Sequence, residues 1–130
     1  MRAAALAATV AGLAPLPAAA ADSPPAPPYI GLARWVSDTL RVFPTPSGRA
    51  LAGELGKPRS AAEQAWREVL TLAPGADTPG MRAQFVCHWQ FAEFAEPGKY
   101  SWDLEPWRPV VDENAMVLAG CNPGRPEIGF

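Results

Sequence analysis

The spacing of apolar residues predicts two amphipathic helices in the second half of the chain. Ala62, Ala65, Trp66, Val69, Leu70 and Ala73 recur at the three- and four-residue intervals that place them on one helical stripe. Ser60 is positioned to cap this helix and Glu63 to reach back in a capping box. Glu63 and Arg67 would pair across one turn on the wet side, and Pro74-Gly75 would end the helix. A second helix should start at Thr78, with Pro79 in the first turn, where its missing N–H costs nothing. Met81, Phe85, His88, Ala92 and Ala95 form one stripe on it, and Cys87, Phe91 and Phe94 a neighbouring one. So wide an apolar surface predicts a helix gripped on two sides and stopped by Pro97-Gly98.

The strand signal is weaker. Thr39 to Phe43 alternates acceptably and is stopped by Pro44 and Pro46. Tyr100 to Leu104 and Ala115 to Ala119 are further strand candidates, with Cys121 ending the latter. A short helical turn is predicted over Arg49 to Leu55, before Gly56. Together these elements predict an α+β domain of about two helices packed on a short antiparallel sheet.

The two ends change the picture from a bare domain to an exported one. Met1-Arg2 gives a positive start, an Ala/Leu/Val-rich uncharged run follows, and Ala19-Ala20-Ala21 offers the small residues that a signal peptidase reads. Residues 1–21 therefore read as a cleavable signal peptide. As a membrane anchor the run is too short, too rich in Ala and broken by Pro15 and Pro17. Residues 22–28, with four prolines in seven positions, read as an extended spacer, and 29–130 as a single globular domain. The segment from Asn122 to Phe130 reads as a tail, with Ile128 or Phe130 as possible docking points.

Cleavage after Ala21 would leave 109 of the 130 residues, with 10 basic against 13 acidic side chains. That is enough chain for one domain and too little for two. A mildly acidic balance argues against nucleic acid and against an anionic membrane surface. No later stretch is apolar enough to span a bilayer, so no membrane insertion is expected after cleavage. The two cysteines, Cys87 and Cys121, read as a disulfide in an exported chain. Closing a loop of about 35 residues stabilises a fold by roughly 3–4 kcal/mol in the chain-entropy model.

The strings Met81 with Gln84-Phe85 and Cys87-His88, Trp102 through Pro109, and Cys121-Asn122-Pro123 resemble a small exported actinobacterial family. That family is catalogued as a domain of unknown function, number 2599. Leu40 to Thr45 with Gly48-Arg49 is similar to its N-terminal part, so the resemblance covers roughly residues 39–123. It implies an exported single domain with paired cysteines, and no activity, ligand or catalytic residue comes with it.

Candidate chemistry concentrates in Trp102-Asp103-Leu104-Glu105-Pro106-Trp107-Arg108-Pro109. If this segment is extended, Asp103 and Glu105 share one face and Trp102 and Leu104 the other. Two carboxylates flanked by indoles are the ingredients of glycoside hydrolysis. The structural alternative is that Trp102 and Trp107 are core, that Glu105 pairs with Arg108 across the Pro106 bend, and that Asp103 caps a turn. His88, the one histidine, either assists such chemistry or sits neutral and hydrogen-bonded in the core. One histidine and two disulfide-committed cysteines leave too few ligands for zinc, and no calcium loop, phosphate loop or nucleophile elbow is present. No cofactor or metal is expected. The reading that follows is a non-catalytic exported module at or outside the cell envelope, binding a protein or a cell-wall glycan through Trp102, Trp107 and Arg108. The rival is a small cell-wall polysaccharide hydrolase using Asp103 and Glu105, with His88 assisting. A secreted inhibitor or toxin-like effector also fits the size, but no residue singles it out.

Overall fold

The computed structural model describes residues 2–9, 11–12 and 23–125. The expected leader cleavage site and the docking points Ile128 and Phe130 lie outside those residues. Strand β1 (Ile30–Val36) turns through Ser37-Asp38 into β2 (Thr39–Pro44), and α1 (Pro46–Ala52) and α2 (Arg59–Leu72) follow. A single 3-10 turn, Pro74–Ala76, leads to α3 (Pro79–Ala95), then β3 (Trp102–Leu104) and α4 (Glu113–Leu118). The sheet is antiparallel throughout in the order β1-β2-β3. This is the expected α+β domain, with four helices among the described residues rather than about two.

The sheet's inner face is set by its register. Ala33 pairs with Val42, Trp35 with Leu40, and Leu40 and Val42 with Leu104 and Trp102. Against that face lie the stripes of α2 and α3, closing a core of Tyr29, Trp66, Met81, Phe85, Trp89 and Trp102 with the aliphatic residues between them. Its aromatic rings meet at tilted or edge-on angles with centroids 5.5–6.4 Å apart, the range in which such pairs attract. The outer face of the sheet carries Arg34, Arg41, Phe43 and Asp103, with the Arg34 guanidinium over the Phe43 ring and Arg41 facing Asp103 at 3.6 Å.

Helix α3 begins as its sequence predicts: Thr78 Oγ1 accepts from the Met81 amide and Pro79 occupies the first turn. Helix α2 does not. It starts at Arg59 with Pro58 as its cap residue and no side-chain cap, and the Pro58 carbonyl takes the Ala61 N–H. Ser60 therefore lies inside the first turn. Glu63 bonds Arg82 of α3 instead of Arg67, which turns to Gln64. The predicted helical turn over Arg49 to Leu55 sits three residues earlier, because Thr45 caps Gly48 and Pro46 opens the helix.

Two larger departures concern strands. Ala115 to Ala119 is not a strand but lies within the α4 region, since Asp112 Oδ1 accepts the Ala115 amide and nucleates a helical turn. Strand β1 has no counterpart in the sequence reading: a register shift between Ile30 and Leu32 interrupts its alternation. Glu68 of α2 secures the start of this strand by accepting from the Tyr29 and Ile30 amides at 2.7 and 3.1 Å. The proline-rich stretch before it is tied to α1, with Ser47 and Thr45 hydroxyls donating to the Ala26 and Pro28 carbonyls.

Candidate functional site

Cys87 and Cys121 form the expected disulfide, and it belongs to a small second apolar cluster with Met116, Ala83 and Val111. Cys121 follows α4 with φ 68, so the bond joins the middle of α3 to the end of a helix rather than of a strand. Beside it opens a groove of about 1010 Å³. Its floor is the Ala83, Val86, Gln90 and Phe91 side of α3, one wall is the α1–α2 connection around Leu55 and Lys57, and the other is α4 with Met116 and Val117. Phe91 is 44% exposed and Phe94 48%. Thus the second stripe of α3 is real, but only its Cys87 end is covered; the Phe91/Phe94 end faces the groove.

The rim is charged in both signs. Lys57 Nζ donates to the carbonyls of Ala52, at the end of α1, and of Gln90, and lies 5.0 Å from the Phe94 ring centroid. A cation at a helix C-terminus is favourably placed, although burial lowers the Lys57 pKa below its usual value. Glu63 and Arg82 form a bridge between α2 and α3, and Glu54, Arg59 and Glu113 complete the lining.

The segment from Trp102 to Pro109 adopts the predicted two-faced arrangement at its start and spends most of its polar groups internally. Trp102 and Leu104 are completely buried, so Trp102 is a core residue and offers no contact surface. Asp103 faces outward, accepting from Ser101 Oγ and facing Arg41. Glu105 is held by Arg108 at 3.1 Å and by the Trp107 indole N–H at 2.7 Å; this is the pairing expected across the Pro106 bend. Arg108, predicted as a binding residue, is buried: its guanidinium also donates to the Pro123 and Arg125 carbonyls and lies 4.4 Å from the Trp107 ring centroid. It pins the chain after Cys121 to the loop after β3. Trp107 alone of the predicted contact trio reaches the surface, at 40% exposure.

His88 is buried on α3 with Nδ1 2.8 Å from the Gln84 carbonyl. A carbonyl only accepts, so Nδ1 carries the proton. Burial, the largest influence, lowers its pKa from 6.5 to about 4, against a smaller opposing effect of that bond. The buried histidine is therefore neutral near pH 7. Gln84 in turn brackets Glu105, accepting from its amide and donating to its carbonyl, both at 2.9 Å. No group of three or more potential metal ligands occurs among the described residues, and no helix among them is long and apolar enough to cross a membrane.

With this geometry in hand, a family model described as a protein of unknown function (DUF2599) matches residues 31–124. The chain belongs to that family. The match takes in nearly the whole fold, β1 included, and so extends the resemblance seen from residue 39 onward. The DUF2599 chain is 59% identical over 99 residues to "Uncharacterized protein Rv0477" of Mycobacterium tuberculosis (strain ATCC 25618 / H37Rv), covering 75% of this chain and 66% of that protein. It is 58% identical over 65 residues to "Uncharacterized protein ML2452" of Mycobacterium leprae (strain TN), covering 50% and 53% respectively. The chain thus spans just under two thirds of the length of the first of these relatives. No solved structure matches.

The groove was not assembled from the sequence, because its lining comes from three separated segments. Its one local signal was the Phe91/Phe94 spacing, which says that a face is apolar but not whether anything covers it.

Proposed function

We propose that this DUF2599 domain is a non-catalytic binding module acting at or outside the cell envelope, and that its groove holds an amphipathic helix of a partner protein. The observation that carries the reading is the contrast between the groove and the candidate catalytic groups. Asp103 and Glu105 are held by arginines and neighbouring donors and His88 is sealed in the core, whereas two phenylalanines are left half open above the disulfide. A groove of about 1010 Å³ lies at the upper limit for small-molecule pockets, about 300–1,000 Å³. Its helical floor suits a further helix: Phe91 and Phe94, three residues apart on α3, form a ridge of the kind that packs into another helix's groove. The partner's helix would carry acidic and basic flanks to meet Arg59, Glu54 and Glu113.

A photo-reactive phenylalanine analogue placed at position 94 or 117 of the full chain in its host tests this. A discrete protein adduct at both positions, absent when the analogue replaces Leu32 on the outer sheet face and weakened by Phe91→Asp, is the expected result. Adducts that form equally at position 32, or none at 94 and 117, would overturn the groove as the contact surface. Export is tested separately by intact mass of the protein recovered outside the membrane. Loss of residues 1–21 and of two hydrogens is expected; retention of the leader or of two free thiols would count against it.

A further inference from the structure

Three of the five tryptophans are buried, as large aromatic residues in a small core usually are. The other two, Trp35 at 42% and Trp107 at 40% exposure, face the same cleft. They come from opposite edges of the sheet layer. Trp35 stands at the end of β1, in the row Trp35–Leu40–Leu104, and Trp107 follows β3 by three residues. Pro106, Ser37 and Asp38 complete a cleft of about 240 Å³, smaller than a drug-sized pocket and sharing no lining residue with the groove.

We infer that this cleft is a binding site for a neutral saccharide. A sugar ring presents a flat patch of C–H bonds on its faces and hydroxyls at its edges. It is therefore met by an indole face together with hydrogen-bonding groups beside it. Trp35 supplies the face: no guanidinium, ammonium or second ring stacks on it among the described contacts. Trp107 supplies a stiff opposite wall, held by its hydrogen bond to Glu105 and by the Arg108 and Arg125 guanidiniums at 4.4 and 4.5 Å from its ring centroid. A wall fixed before the ligand arrives loses little freedom on binding. Asp38 is exposed and its carboxylate has no hydrogen-bond or ion-pair partner among the described residues, so it is placed to accept from hydroxyls. Ser37 adds a hydroxyl from the hairpin turn, where it takes φ 54, a conformation that glycine usually fills at the first position of such a turn. Two tryptophans and a carboxylate can also cage an organic cation. Glu105 neutralises Arg108 and the Arg125 guanidinium against Trp107 offsets Asp38, so the cleft has no net negative charge with which to hold a cation, and this favours the uncharged ligand.

The test uses the full oxidised chain on immobilised neutral oligosaccharides (cello-, xylo-, galacto- and N-acetylglucosamine oligomers), with tetramethylammonium as the cationic competitor. The five indole N–H signals are followed by NMR on titration with any oligomer that is retained. Retention that falls at least tenfold with Trp35→Ala and with Asp38→Asn, stays unchanged with Phe91→Ala, and moves only two indole signals supports the cleft. If Trp35→Ala fails to fold, Trp35→Phe, which keeps an aromatic face, should retain part of the binding while Asp38→Asn reports alone. Absence of retention on every oligomer, or retention indifferent to both substitutions, would overturn the inference. So would displacement by millimolar tetramethylammonium, which would instead make the cleft a cation cage. Because Phe91 is a control position here and is the position varied in the groove test above (Phe91→Asp), failure of one site leaves the other's result readable.

Discussion

Gly48 shows how little tolerance single positions have at the entry to the fold. A β-carbon there would run into the Tyr29 carbonyl, and that carbonyl already accepts from the Thr45 amide. Gly48→Ala should destabilise the domain by about 1–3 kcal/mol, the usual cost of overpacking, read as a lower urea midpoint with an unchanged slope. Gln84→Ala should cost a similar amount, about 2 kcal/mol, because it strands both backbone groups of Glu105 at a partly buried site. His88 makes stability depend on pH. Its folded pKa, about 4, is below the unfolded value of about 6.5. Stability is therefore full above pH 6.5 and is lost as pH falls toward 4, where the unfolded chain binds a proton that the folded one refuses. The loss should approach 3 kcal/mol at about 1.4 kcal/mol per unit. A His88→Gln variant, lower in stability at pH 7, should show a flatter dependence across that window in a Tm-against-pH series.

Among the elements, α4 is six residues long and depends on its cap. Asp112→Ala should lower stability by about 1 kcal/mol and speed amide exchange over Glu113–Leu118 before that of the sheet. The contrast with its sequence reading is instructive. Helix α3 was legible to the residue because Thr78-Pro79 and Pro97-Gly98 act on the chain next to them. In Ala115 to Ala119 the apolar run is too short to declare a period, and the cap at Asp112 lies outside it. Strand β1 escaped for the opposite reason: its period exists but shifts at Gly31. The site divided along the same line. Glu105 and Arg108 could be paired from their spacing, whereas Trp35 and Trp107 are 72 positions apart and only the sheet brings them to one cleft. Trp102 and Trp107 look alike in sequence, and only strand register separates the core residue from the surface one.

At the scale of the molecule, the single covalent tie carries a large part of the stability. Reduction should cost about 3–4 kcal/mol for a loop of this length, a large share for a domain of 5–15 kcal/mol. Urea denaturation with and without reductant measures it, and the same comparison should show α4 and the chain after it loosening first, since besides the bond they are held by a small cluster around Met116, Ala83 and Val111 and by the Arg108 bonds to the Pro123 and Arg125 carbonyls. A disulfide is compatible with life outside the cell, where it persists.

That tie also decides how the protein would respond to mechanical load. β3 and α4 lie inside the covalent loop, while β1, β2, α1 and α2 lie outside it. Tension on the two chain ends would peel β1 from β2 and unwind the early helices, yet it could never draw β3 out as free length. The 34-residue span withholds roughly 115 Å of contour that a reduced chain would release. Pulled from its ends, the oxidised molecule extends as a short tether with a closed knot of chain at its centre, and its redox state sets how far it can reach.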